Sequence, residues 1–178
     1  LLATFQQCLT ILCVSTLEPR KKQQQIIDAV EKLWHTGTNI NLVLVGLQGW
    51  KVEALSEKIL HHPELGKRLF WLKGISDEFL EQIYKVSTVL VAASLNEGFG
   101  LSIIEGARHE LPLLLRDIPV FREVAGDNAF YFNGEQAEDL AVAFREWFSL
   151  FEIGEHPLSS KISWNSWQKS SEQIKTRY

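Results

Sequence analysis

The chain has 178 residues, a length that fits one domain of ordinary size with a full hydrophobic core. Apolar residues make up 46% and charged residues 22%, a balance typical of a globular protein and not of a disordered chain. The net charge of −4 argues against nucleic acid as the main partner. No apolar run approaches the roughly 20 residues that a membrane-spanning helix needs.

The amino-terminal stretch and the two cysteines favour a cytoplasmic location. The first residues, LLATFQQCLTILCV, lack a basic leading segment and a small-residue cleavage site, so we expect no signal peptide. Cys8 and Cys13 form no CxxC motif, and we interpret them as reduced thiols, with Cys13 buried in a strand. Met is absent even at position 1, which suggests a piece of a longer protein.

Short apolar runs alternate with segments of helical periodicity, the pattern of βαβ units and a parallel sheet. The predicted strands are 10–16, 41–46, 68–72, 88–94, 111–117 and 128–132. The predicted helices are 21–36, 50–62, 76–87, 101–109, 119–126 and 136–151, and a polar tail from about residue 154 is expected to end in one more helix. The fold class is therefore α/β, a three-layer Rossmann-like domain over residues 1–178 with a six-stranded parallel sheet.

Basic residues follow the first predicted strand, at the start of the next helix. Arg20, Lys21 and Lys22 stand in the stretch STLEPRKK, where cations oppose the helix dipole at a cost of roughly 0.3–1 kcal/mol each. A solvated basic turn is one interpretation. An anion bound at the helix start is the other, and it explains why the cations stand there.

Two glutamates eight positions apart, Glu97 and Glu105, flank a glycine-rich bend in the stretch ASLNEGFGLSIIEGARHELP. Gly98 and Gly100 allow backbone N–H groups to approach a ligand closely, and the following helix adds its dipole. A carboxylate beside an anion site does not suit phosphate but suits a neighbouring sugar hydroxyl. A carboxylate one turn into the helix can accept both hydroxyls of a ribose.

Helical glutamates are usually only solvated, and that interpretation stays open for Glu97 and Glu105. Gly106 favours the functional one, because a glycine inside a helix costs about 1 kcal/mol relative to alanine. Close backbone packing or the approach of a ligand would explain it. A ligand that combines a sugar, phosphates and a ribose is a nucleotide sugar.

The stretch EGFGLSIIE resembles the E-x7-E motif of glycosyltransferase family 4, the retaining enzymes of the GT-B fold. STLEPRKK resembles the phosphate loop of that family, and RDIPVFREVAGDNAFYF resembles its closing segment. The order and spacing of these motifs agree from about Thr10 to Phe151. The GW after the second strand and the SWNSW in the tail are similar to the mannosyltransferases of bacterial O-antigen synthesis.

The resemblance implies that the chain is the donor-binding, C-terminal half of a GT-B enzyme. It implies that Arg20 and Lys21 hold the donor diphosphate, that Glu97 binds the donor sugar, and that Glu105 binds the ribose. Arg20, Lys21 and Glu97 are the expected catalytic groups. The remaining expected contacts are the backbone cradle and two loop positions, one of which often carries glycine in the family: Gly98, Phe99, Gly100, Leu101, Ser15, and Gly74 near the base.

The resemblance also implies the partners. The donor is a nucleotide-diphosphate sugar, with GDP-mannose favoured, and the acceptor is a glycan or lipid-linked glycan brought by an absent N-terminal domain. It allows peripheral membrane association of the full enzyme. No cofactor or metal is expected, since His61, His62 and His109 are dispersed and read as solvated. Trp164 and Trp167 in the tail are expected to pack on the absent domain.

Two other functions stay open on the sequence. One is a non-catalytic Rossmann-like module that binds a nucleotide or a phosphorylated ligand. The other is a GT-B enzyme of different chemistry, such as a nucleotide-sugar epimerase or a sugar phosphorylase with a lysine-bound pyridoxal cofactor.

Overall fold

The structure, a computed structural model, describes residues 1–162. Its strands form one parallel sheet in the order β3-β2-β1-β4-β5-β6. They are β1 (Leu9–Val14), β2 (Ile40–Val45), β3 (Leu69–Leu72), β4 (Val89–Ala92), β5 (Leu113–Arg116) and β6 (Phe130–Phe132). The six predicted strands are all present, with ends that differ by a few residues.

The helices described are α1 (Leu2–Gln6), α2 (Gln23–His35), α3 (Glu53–Leu60), α4 (Asp77–Val86), α5 (Leu101–Arg108), α6 (Pro119–Ala125) and α7 (Ala137–Glu152). Short 3₁₀ turns cover Pro19–Lys21 and Ser159–Lys161. Helix α1 was not predicted from the sequence. Its Phe5 packs edge-on against Phe70, with ring centroids 5.0 Å apart. Within residues 1–162, no helix is long and apolar enough to cross a membrane.

The sheet lies between two helical layers, so the predicted three-layer α/β fold is confirmed. Side chains along a strand point alternately to opposite faces. Ile11 and Cys13 accordingly pack in the cluster formed with α2 and α7, whereas Leu12 packs in the cluster formed with α4, α5 and α6. Cys13 is buried as predicted, and burial raises the pKa of its thiol to about 11.

The strands β1 and β4 are paired neighbours in the sheet, and the direction in which the chain adds strands reverses between them. From β1 the chain adds β2 and β3 on one side, then crosses to β4 and continues outward through β5 and β6. In open α/β sheets, ligands bind beside the carboxyl ends of the strands at such a switch point. The basic loop after β1 and the glycine-rich loop after β4 both end there.

The loop after β2 supports the basic loop from its outer side. The Leu17 N–H donates to the Leu47 carbonyl at 2.9 Å, and the Gly49 N–H donates back to the Leu17 carbonyl at 3.0 Å. A Cβ atom added at Gly49 would lie 2.4 Å from the Leu17 oxygen. Glycine at this position therefore lets the two backbones approach.

Two residues in and after α5, Gly106 and Glu110, depart from the usual rules for helices. A Cβ at Gly106 would lie 3.0 Å from Leu90 Cδ2 and 3.2 Å from Leu113 Cδ2, so tight packing on the sheet explains this glycine. Glu110 adopts a left-handed conformation with φ of 56°, a position where helices usually end on glycine. Of the two explanations expected for Gly106, close backbone packing is thus confirmed.

The described part of the tail packs on this domain. After α7 the chain reaches the other helical layer, where Ile162 is buried in the cluster that contains α5. Trp164 and Trp167, and the predicted last helix, lie outside the described residues.

Replacing Gly49 with alanine should lower the free energy of unfolding by roughly 1–3 kcal/mol, because the new methyl group overlaps the Leu17 carbonyl. Chemical denaturation measures the loss. Gly98→Ala is the matched control, since a Cβ at Gly98 meets no atom within 4 Å. Neither glycine has a left-handed backbone. Equal stability losses in the two variants would contradict the packing described for this loop.

Candidate functional site

A cavity of about 360 Å³ opens at the switch point between the basic loop and the glycine-rich loop. This volume is within the usual range of small-molecule sites. The cavity brings together most of the residues predicted from the sequence, namely Ser15, Arg20, Lys21, Glu97, Phe99, Gly100, Leu101 and Glu105.

Two predicted contacts are not among the residues that line this cavity. Gly98 lies in the exposed part of the bend, between two residues that do line it. Gly74 lies in the loop after β3 with a left-handed φ of 61°. Its place beside a nucleotide base remains a prediction.

Glu97 joins the two loops by ion pairs. Its carboxylate pairs with the Lys21 ammonium and, at 3.3 Å, with the Arg20 guanidinium. The Ser94 hydroxyl donates to the same carboxylate at 2.8 Å. Arg20 also pairs with Glu18 at 2.8 Å, so negative charge from both loops balances the cations.

The charges around Glu97 set its ionisation. Burial alone raises the pKa of this carboxyl, but hydrogen bonds from Lys21 and Ser94 and the charges of Lys21 and Arg20 outweigh burial. The net result is a pKa below the usual value, so Glu97 is ionised at neutral pH. The Glu97 carboxylate is therefore an anion already paired with Arg20 and Lys21, the cations that were predicted to bind an anionic ligand.

Of the three basic residues predicted at the helix start, only Lys22, the N-cap residue of α2, lies there. Arg20 and Lys21 belong to the 3₁₀ turn, Lys22 has a left-handed φ of 55°, and α2 begins only at Gln23. Pro19 starts the turn, which sets these side chains outside the helix and toward the cavity. Lys22 pairs instead with Glu135 at 2.7 Å, away from the cavity.

The start of α5 presents backbone donors to the cavity. Gly100 takes the N-cap position with φ of 78°, and no side chain caps the first turn. Leu101 and Ser102, the first residues of the helix, both line the cavity. Helix N-termini favour anions through such N–H groups and the helix dipole. The side chain of Phe99, 56% exposed, stands beside this turn.

A buried polar residue that was not predicted, Gln23, and a backbone hydrogen bond hold the basic loop in place. Gln23, 1% exposed, donates from its amide to the Ser15 hydroxyl at 2.8 Å and to the Thr16 carbonyl at 2.9 Å. The Leu95 N–H donates to the Arg20 carbonyl at 2.9 Å and ties the loop to its neighbour. Gln23 resembles any polar residue of a first helical turn, so the sequence carried no signal for it.

Arg116, at the carboxyl end of β5, is a second group that was not predicted. It is 5% exposed, and its Nε donates to the Ala93 carbonyl at 2.8 Å. Its other nitrogens donate to the Gly134 carbonyl and the Gln25 side chain. Burial lowers the pKa of this guanidinium, against the opposing charges of two nearby carboxylates. Its position as a charged residue at the end of the apolar run LPLLLR is the sequence feature that could have indicated a functional role.

Glu105 lies on the exposed side of α5, where it borders two cavities. One is the cavity at the switch point, and the other is about 290 Å³ between α4 and α5. The hydroxyl of Tyr84 donates to Glu105 Oε2 at 3.0 Å. No motif or spacing in the sequence connects these two residues.

A larger cavity, about 710 Å³, lies away from the predicted residues. It is lined by the last turns of α2 and α3 and by the loop that follows α3. The His62 side chain, 8% exposed, bonds Glu31 at 2.8 Å there, so the prediction that His62 is solvated was wrong, whereas His61 is exposed. Across residues 1–162, no group of three or more His, Cys, Asp or Glu side chains is arranged to hold a metal ion.

Comparisons with known proteins agree on one family. Residues 4–156 match the family described as glycosyl transferases group 1. The serotype-specific mannosyltransferase WbdA of Escherichia coli is 49% identical over 174 residues, which cover 98% of this chain and 21% of WbdA. This chain thus spans about a fifth of the length of that relative.

Solved structures agree on the fold. Sucrose-phosphate synthase from Thermosynechococcus elongatus superposes with a TM-score of 0.76 at 19% identity, over 96% of this chain and 45% of the synthase chain. The catalytic domain of starch synthase IV from Arabidopsis thaliana gives 0.76 at 18% identity, over 96% of this chain and 38% of that one.

Replacing Glu97 with glutamine should destabilise the fold at neutral pH by roughly 1–3 kcal/mol, because two cations lose a charged acceptor. Since the pKa of Glu97 is lowered in the folded state, its stabilisation is present above the unfolded pKa near 4.5. It is lost as pH falls through the folded pKa. Urea denaturation of both proteins from pH 7 to pH 3 should show the difference shrinking below about pH 4.5. A constant difference would contradict this electrostatic role.

Proposed function

Because the chain belongs to the family of glycosyl transferases group 1, we propose that it is the nucleotide-sugar-binding domain of a retaining glycosyltransferase. One observation carries the proposal. The cavity at the switch point combines two cations, a helix N-terminus and three carboxylates, Glu18, Glu97 and Glu105. A diphosphate needs the first two features, and sugar hydroxyls need the third.

In the proposed arrangement, Arg20 and Lys21 bind the donor diphosphate beside the backbone of the first turn of α5. Both cations lie where negative charge develops as the bond from the sugar to the diphosphate breaks, so they stabilise the leaving group. The diphosphate takes the place that the Glu97 carboxylate holds in the free protein. Glu97, released from its ion pairs, then accepts hydrogen bonds from the donor sugar.

Glu105 completes the donor site by accepting the ribose hydroxyls. Its position, about one turn into α5, allows a nucleotide to extend along that helix. The nucleotide base then lies toward the loop after β3, where Gly74 was predicted to contact it. The presence of Glu97 and Glu105 at one cavity favours a sugar nucleotide over a simple phosphate ligand, because a sugar nucleotide has hydroxyl groups that can donate hydrogen bonds to both carboxylates.

The similarity to WbdA, a serotype-specific mannosyltransferase, leads us to propose GDP-mannose as donor and a glycan of bacterial O-antigen synthesis as acceptor. The acceptor, in this proposal, is bound by another part of the longer enzyme, which acts in the cytoplasm or at the inner face of the membrane. The chain alone then binds donor without transferring the sugar, and no metal or cofactor takes part.

Replacing both Arg20 and Lys21 with glutamine should reduce affinity for GDP at least tenfold, because each lost contact is a charge-assisted hydrogen bond to phosphate. Affinity for guanosine, which has no phosphate, should change little. The salt dependence of GDP binding should also weaken. Isothermal titration calorimetry at two ionic strengths measures these quantities, with UDP, ADP and dTDP in parallel to identify the base.

A matched control removes a lysine and an arginine elsewhere. Lys32 and Arg145 share Glu138 at 3.3 and 2.6 Å on the exposed surface of α2 and α7. The Lys32→Gln, Arg145→Gln double variant should bind GDP as the original protein does. If affinities for GDP and guanosine fall together in the Arg20 and Lys21 variant, these residues do not hold phosphate.

A further inference from the structure

Tyr84 and Glu105 form a contact that has no role in the donor site as proposed above. Tyr84 lies on α4 and Glu105 on α5, and the phenol hydroxyl donates to Glu105 Oε2 at 3.0 Å. Tyr84 is 3% exposed, whereas Glu105 is on the exposed side of its helix. A buried, fixed donor therefore holds one oxygen of an exposed carboxylate.

The surroundings of Tyr84 fix the position of this donor. Its ring stacks on His109, with centroids 5.0 Å apart and ring planes 11° from parallel. Burial, and then the negative charge of Glu105, raise the pKa of the phenol, so it stays protonated and donates. Buried tyrosine hydroxyls generally find a partner, and this one has a carboxylate.

The Tyr84 hydroxyl and the switch-point cavity lie on different sides of the Glu105 carboxylate. Tyr84 lines the cavity between α4 and α5 and is absent from the lining of the switch-point cavity, whereas Glu105 borders both. The hydroxyl thus reaches the carboxylate from the side away from the proposed ligand. A carboxylate can accept about four hydrogen bonds, so one donor on that side leaves capacity for hydroxyls on the other.

We propose that Tyr84 is a positioning residue that holds the Glu105 carboxylate in the orientation in which it accepts the ribose hydroxyls of the donor. The inference rests on the proposed function, in which Glu105 binds ribose. A free glutamate on a helix surface samples several rotamers and loses that freedom when a ligand binds. The hydrogen bond from Tyr84 imposes part of this order before the ligand arrives, which raises affinity.

The test is Tyr84→Phe, which keeps the ring and its stacking on His109 and removes only the hydroxyl. Calorimetry compares GDP with 2′,3′-dideoxy-GDP, which lacks both ribose hydroxyls. We expect GDP to bind the variant roughly three- to tenfold more weakly, from the cost of ordering one side chain, and dideoxy-GDP to bind both proteins alike. In a Glu105→Ala background the tyrosine change should have no further effect on GDP.

Tyr131→Phe is the matched control. The Tyr131 hydroxyl donates to the Gly126 carbonyl at 2.7 Å, far from the ribose site along the chain and outside the cavity lining. This variant loses a phenol hydroxyl that donates to a backbone carbonyl and should bind GDP normally. Thermal denaturation confirms that each variant is folded before its affinity is compared.

The outcomes separate the inference from the function on which it rests. If Glu105→Ala weakens GDP but not dideoxy-GDP, while Tyr84→Phe weakens neither, the ribose site stands and the positioning role is overturned. Equal losses for GDP and dideoxy-GDP in Tyr84→Phe also overturn it, since they indicate a general structural role. If Glu105→Ala fails to discriminate the two nucleotides, or the original protein binds neither, the ribose assignment falls and the inference falls with it.

Discussion

The ion pairs of Glu97 with Lys21 and Arg20 are the interaction on which the rest of the site depends. They connect the loop after β1 to the loop after β4, two segments that are distant in sequence and meet only because β1 and β4 are neighbours in the sheet. Without a ligand, two cations at the edge of a cavity would repel each other. Glu97 supplies the missing anion, so the free protein keeps a preformed site whose charge is internally balanced.

This arrangement has a chemical consequence for the proposed reaction. A donor diphosphate that enters the cavity must compete with Glu97 for the cations, and the competition frees the carboxylate for the sugar. Binding of phosphate and orientation of the sugar are then coupled through one side chain. The coupling requires loops that stay in place while the carboxylate changes partners, since a loop that moved with Glu97 would lose the geometry.

The groups behind the loops provide that rigidity. Gln23 fixes the basic loop through Ser15 and Thr16, and the backbone of the loop after β2 pairs with Leu17. Arg116 holds the Ala93 carbonyl next to Ser94, which in turn bonds Glu97. A planar guanidinium with several donors suits this task, because one buried side chain can reach three backbone and side-chain acceptors at once.

Much of the fold and the site was predictable from the sequence, for physical reasons. Strands buried on both faces form continuous apolar runs, so all six were found, and the alternation with helices indicated a parallel sheet. Because strand carboxyl ends meet at one edge, Arg20, Lys21, Glu97 and Glu105 were expected at one cavity, where the structure places them. Their roles toward a ligand remain predictions.

Other features could not be predicted because they depend on partners that only the tertiary fold brings together. The pairing of Glu97 with the cations, and of Tyr84 with Glu105, joins residues from different helices and loops. Lys22 looked like a third member of the basic cluster, but its left-handed backbone turns it toward Glu135. The five-residue helix α1 is too short for hydrophobic periodicity to reveal.

The most direct test of the central claim is the affinity of inorganic pyrophosphate for the original protein and for Glu97→Gln, measured by calorimetry at neutral pH. If the carboxylate occupies the phosphate site in the free protein, its removal should strengthen binding by roughly 1 kcal/mol, about fivefold, since the ligand no longer displaces an ion pair. Glu138→Gln, which removes a carboxylate paired with a lysine and an arginine elsewhere, should leave the affinity unchanged. Unchanged or weaker pyrophosphate binding by Glu97→Gln would contradict the account.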